Sequence, residues 1–166
     1  MNQPSHMRGI AVSLVLISLG LFAVLVNVSF GFQNEPGDFR GIKWGTDVGE
    51  LKGMSFLAED GGLRFFEREN DSMTVEEVPV DRIVYGFHTQ RFFNVLAYYS
   101  TLANFLNLKD ALTRKHGEPF RPAGTPNRYF WTGDKVEMLL IYDENTMSGR
   151  LSYFYKPIQS EAEGKK

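Results

Sequence analysis

Cysteine is absent from the 166 residues. That absence excludes disulfides, thiolate metal sites, cysteine nucleophiles and lipid attachment at an N-terminal cysteine. Histidine is scarce, with three in the chain. His6 falls in the N-terminal segment, His88 at an expected hairpin tip and His116 at an expected helix end. None has a partner at HxH or HxxxH spacing, so no zinc or non-haem iron site is announced and no cofactor is expected. A cation is favoured at a helix C-terminus, which accounts for His116 without a site role.

Positive charge is also in short supply. Lys and Arg number 18 against 20 Asp and Glu, and only Arg8 precedes residue 32, leaving 17 cations against 20 acids beyond it. No basic stripe is present to neutralise phosphates, so nucleic acid is not an expected partner. Nucleophile signatures are missing too: there is no G-x-S-x-G and no S-x-x-K. The stretch Gly41-Ile-Lys-Trp-Gly45-Thr46 lacks the Gly-Lys-Ser/Thr ending of a phosphate loop and leads into a single expected helical turn. Three acidic pairs, Glu67/Glu69, Glu76/Glu77 and Asp143/Glu144, are the residues a hydrolase of envelope polymers would use, if one pair met about 5 to 9 Å apart in a cleft.

A charge-free apolar run is present near the start. Residues 10–26 carry no charge and follow Arg8, the layout of a secretory signal. Small residues at Ser29 and Gly31 place a peptidase cut between Gly31 and Phe32. The alternative is a retained single-pass anchor, because residues 9–34 are uncharged and about 20 suffice to cross a bilayer. Arg8 on one side, with Glu35 and Asp38 on the other, leaves the remaining domain outside the cytoplasm in either case, with periplasmic release the first expectation.

Residues 32–38 (FQNEPGD) read as a polar linker, residues 39–157 as one domain, and residues 158–166 as a disordered tail with no apolar repeat. Inside the domain, residues 39–44 are extended, and Asp47 with Glu50 caps a short helix. Strands are expected at 54–58 and 62–68 around Asp60-Gly61-Gly62, at 73–78, and at 82–88 and 91–99 around Thr89-Gln90. A main helix spans about 101–116, capped by Ser100 or Thr101, ended by Gly117 and Pro119, with Leu102, Phe105, Leu106, Leu108 and Leu112 on one side. By that reading Leu106→Asp unfolds the domain. Strands at 128–132, 135–143 and 150–156 complete an α+β fold: an antiparallel sheet of seven to eight strands, with the main helix and a short N-terminal helix on one face.

Aromatics are abundant, at 14%, and clustered: Phe65-Phe66, Phe92-Phe93, Tyr98-Tyr99, Tyr129-Phe130-Trp131 and Tyr153-Phe154-Tyr155. Neighbours in a strand point to opposite faces, so both faces of the sheet are partly aromatic. Phe93, Val95, Ala97 and Tyr99, with Met138, Leu140 and Tyr153, form the expected core row. Phe92, Tyr98, Leu139 and Phe154 fall on the other face, the candidate partner-binding surface. The competing expectation is that a loop, the linker or a second layer covers that face.

Phe39-Arg-Gly-Ile-Lys-Trp-Gly-Thr46, followed by Gly53-Met54, Ile83-Val-Tyr-Gly-Phe87, Arg91-Phe92 and Lys115-His-Gly117, resembles a group of small exported bacterial proteins. The opening also resembles the aromatic-x-Gly-Ile-x-x-Gly-Thr entry to the first helix in the β-lactamase-inhibitor-protein-like fold and in the small outer-membrane lipoprotein A family. The resemblance implies an α+β module that binds other proteins through a sheet face, with no catalytic residues. The chain departs from the lipoprotein group in having no lipidation cysteine. The functional expectation is thus an exported module that binds an unidentified protein or envelope component, touching a membrane only through its N-terminal segment. A hydrolase and an apolar-ligand carrier are the alternatives.

Overall fold

The computed structural model describes residues 32–164. The apolar run and Gly31 lie outside the described residues. Among those described, no helix is long and apolar enough to cross a membrane.

Two two-residue strands, β1 (Asp38–Phe39) and β2 (Ile42–Lys43), open the domain and lead through the 3-10 turn Val48–Glu50. Asp47 caps that turn by accepting from Gly49 N–H. Then come β3 (Met54–Asp60), β4 (Leu63–Arg68), the small hairpin β5 (Thr74–Val75) and β6 (Val78–Pro79), β7 (Arg82–His88), β8 (Arg91–Ser100) and α1 (Leu102–His116). After a Pro/Gly loop follow β9 (Arg128–Thr132), β10 (Val136–Asp143), β11 (Ser148–Tyr155) and α2 (Lys156–Ala162). Seven of the strands form one sheet in the order β3-β4-β7-β8-β11-β10-β9. Every neighbouring pair is antiparallel. The α+β architecture and the main helix match the sequence reading. The expected short N-terminal helix is one 3-10 turn, and the second helix stands at the other end of the chain.

The core lies between one sheet face and α1. Tyr85, Phe87, Val95, Ala97, Met138, Leu140 and Leu151 are fully buried against Phe105, Leu108 and Leu112. Each such side chain removed from water contributes about 1.5 to 3 kcal/mol. Gly149 lets Tyr99 cross the sheet: a Cβ there would lie 2.4 Å from the Tyr99 hydroxyl, which donates to Ile141 O at 2.6 Å.

Two expectations about the core are corrected. Leu106 is 43% exposed, whereas Phe105, Leu108, Leu112 and His116 are buried. Their spacing of three and four residues makes a narrow stripe, and Leu106 is rotated about 100° away from Phe105. Phe92 is 0% exposed on the α1-covered face, not the other one. The cause is a bulge: Gly86 pairs with Asn94 but Phe87 pairs with Phe92, so Phe93 is the extra residue and the alternation slips by one. Phe92 thereby joins Phe87 and Tyr85 and stacks on Trp44, ring centroids 4.9 Å apart.

Both presumed loose ends are ordered parts of the domain. Phe32 stacks on His116 at 5.2 Å, and Gln33 N–H donates to His116 O. The Glu35 carboxylate accepts from the N–H groups of Asp134, Lys135 and Val136. Residues 32–35 thus form a strap across the β9–β10 turn. Gly133 accommodates it, because a Cβ there would lie 2.6 Å from both the Glu35 carboxyl carbon and Phe32 Cδ1. At the far end, Lys156-Pro157 starts α2 with proline in the first turn, where its missing N–H costs nothing. Ile158 is 2% exposed.

Candidate functional site

The helix α2 packs on β7, β8 and β11. Its Glu161 pairs with Arg91, which stands next to core-facing Phe92 and so points to the opposite face. The tail therefore covers part of the sheet face that α1 leaves free. What remains open follows from the strand register.

Three rows of side chains run across that outer face. Thr132, Glu137, Phe154, Asn94 and Gly86 make the row at the α2 end. Phe130, Leu139, Ser152, Leu96 and Val84 make the middle row. Arg128, Ile141, Arg150, Tyr98 and Arg82 make the third. Of the candidate face residues, Tyr98, Leu139 and Phe154 are half-buried here, one on each row. Phe92 does not join them. The outer face is thus one covered end, one aliphatic and aromatic middle, and one arginine-bearing end.

The arginine end is a groove of about 620 Å³ whose lining includes Tyr98, Arg128, Ile141 and Arg150. Arg150 is half-buried and its Nε is sealed from solvent with no hydrogen-bond partner. Among the described residues neither Arg150 nor Arg128 is in an ion pair, whereas Arg82 pairs with Glu67. The rim carboxylates are engaged locally: Asp143 accepts from Asn145 N–H and Glu144 from Asn127 Nδ2. A half-buried guanidinium left without a counter-charge is costly, and an anion supplied from outside offsets that cost.

The other acidic pairs are dispersed. Glu67 serves Arg82 on β4, and Glu76 serves Lys115 beside the β5–β6 turn at 2.6 Å. Among the described residues no three His, Asp or Glu side chains converge at metal-binding distance.

Two of the further hollows are lined by Phe32 or His116. One of about 370 Å³ at the β9 edge is lined by Phe32, Phe120, Phe130 and Trp131. Phe120 exchanges both backbone hydrogen bonds with Phe130, extending that edge by one bridge, and its ring is 68% exposed. The other, of about 230 Å³, lies beside Pro36 and is lined by Arg40, Glu76, His116 and Tyr153. Beside it, Asp71 accepts from Arg40 and from the Tyr85 hydroxyl. Burial pushes the Tyr85 and Tyr153 hydroxyls well above the ordinary phenol range. Burial also lowers the His116 pKa, although its Nδ1 lies within hydrogen-bond reach of the Gln33 and Asn34 carbonyls. The motif around Trp44 is accounted for by packing: Phe39 meets Tyr85 and Tyr153, and Trp44 Nε1 donates to Pro36 O.

Comparison of the chain with protein-family models, with curated proteins and with solved structures returns no match. The arginine row, missed in the sequence, has no local signature. Its members come from five strands and become neighbours only once the register is known.

Proposed function

We propose that the chain is an exported binding module that presents the open part of its outer sheet face to a protein or envelope component. The observation that carries this reading is the mixed character of that surface. Half-buried Leu139, Leu96, Ile141 and Tyr98 adjoin two arginines that are in no ion pair among the described residues. Interfaces combine an apolar and aromatic centre with arginine in this way. The N-terminal apolar run supports the exported setting, as a cleaved signal or as an anchor with the domain outside the cytoplasm.

A photoreactive amino acid tests this directly, placed in living cells at residue 139 or 141 on the outer face and at residue 106 on the exposed side of α1. Discrete adducts at 139 and 141, reduced by excess wild-type protein but not by the Tyr98→Ala variant, are expected. Adducts at 106 alone, or adducts indifferent to Tyr98, would overturn the reading.

A further inference from the structure

We infer that the arginine groove receives an acidic helix of a protein partner, with two carboxylates seven residues apart engaging Arg150 and Arg128, an apolar side chain between them resting on Ile141 and another beyond Arg150 on Tyr98. This deepens the proposed function and rests on it. Two observations carry it.

The first is charge. The chain beyond residue 31 has 17 cations against 20 acids, so nothing about the whole domain draws an anion. The groove is lined by Asp143 and Glu144 as well as Arg128 and Arg150, but both carboxylates are engaged by neutral donors nearby, and among the described residues neither arginine is in an ion pair.

The second is spacing. Arg128, Arg150 and Arg82 occupy alternate strands of one row, separated by Ile141 and Tyr98. Adjacent strands lie about 4.8 Å apart, so successive arginines in the row stand about 10 Å apart. Seven residues of helix rise about 10.5 Å and return to nearly the same side, with positions three and four residues on falling between. A helix lying across the strands therefore meets guanidinium, apolar side chain and guanidinium in the order its own surface repeats. An extended peptide does not, because residues about 10 Å apart along it are three apart and point to opposite sides.

The test uses the protein as purified from the cell envelope, with binding followed by the fluorescence anisotropy of a labelled peptide. The probe is an alanine-based helical peptide with glutamates seven apart and leucines between them. Two control peptides carry glutamines in place of the glutamates, or glutamates five apart. Saturable binding of the first peptide, at least about tenfold tighter than either control and weakened about tenfold or more by Arg150→Gln or Arg128→Gln, is expected. Arg150→Lys guards against a folding artefact: it keeps the charge, and a thermal melt matching the wild type shows that the domain is intact. Equal binding of the glutamine or five-spaced peptide would overturn the helix assignment. So would no saturable binding, or preferential binding to phosphatidylglycerol vesicles that Arg150→Gln abolishes. If the peptide fails while adducts at residues 139 and 141 persist, the groove inference falls and the binding-module reading stands.

Discussion

Gly133→Ala is expected to reverse sign with its background. The residue has no left-handed backbone requirement. By itself, replacing such a glycine with alanine stabilises a protein by about 0.4 to 1 kcal/mol, by reducing the freedom of the unfolded chain. Here the added Cβ would come within 2.6 Å of Glu35 and Phe32, so the strap must lift. Lifting it costs the three hydrogen bonds that the Glu35 carboxylate accepts. Asp134 and Lys135 are exposed and their N–H groups can turn to water, but Val136 is buried. The loss is therefore near that of one charge-assisted hydrogen bond, about 1.5 to 3 kcal/mol. The net effect is a destabilisation of about 1 to 2 kcal/mol. In the Phe32→Ala, Glu35→Ala background nothing is left to displace, and Gly133→Ala becomes stabilising by about 0.4 to 1 kcal/mol. Urea unfolding midpoints of the four proteins measure the cycle. Stabilisation in both backgrounds, or an equal destabilisation in both, would refute the docked strap.

Three further outcomes are expected. Leu108→Asp buries an unpaired charge and costs more than about 4 kcal/mol, unfolding the domain, whereas Leu106→Asp costs about 1 kcal/mol or less; far-UV circular dichroism and melting separate them. Thr101 holds φ 74 and ψ 144 while its side chain caps α1. Thr101→Gly removes about 1 to 3 kcal/mol of strain for a few tenths of lost cap and some added unfolded-chain freedom, so it stabilises by about 1 kcal/mol. Thr101→Ala keeps the strain, loses the cap and destabilises by about 1 kcal/mol, both read by urea titration. Burial lowers the His116 pKa in the folded state, so below about pH 6.5 the unfolded chain binds the proton more readily. His116 therefore contributes a loss of stability as pH falls from about 6.5 toward its lowered folded value, with none above that window. A His116→Gln variant loses this component of the slope below about pH 6.5 in urea midpoints.

Most elements were legible because their signals are local. Glycines and prolines punctuate the hairpins, and Gly117 closes α1. Three features were not. The bulge at Phe93 moves Phe92 across the sheet, and a one-residue slip leaves no trace in composition. The tail was too short and polar to announce α2, although Lys156-Pro157-Ile158 carries a helix-start signal in its proline and an apolar residue directly after it. The strap draws its order from donors, acceptors and rings contributed by residues about 80 to 100 positions away, such as His116 and Val136. The candidate site was legible only as a face. Tyr98, Leu139 and Phe154 were placed on the correct side by alternation, but which part of it stays open depended on α2, and the arginine row depended on register.

The central claim is that the outer face, and not the exposed side of α1, meets the partner. In-cell photocrosslinking at residues 139 and 141 against residue 106 tests it most directly. The account predicts discrete, Tyr98-dependent adducts at 139 and 141 and none at 106. Adducts confined to 106, or equal at all three positions, would contradict it.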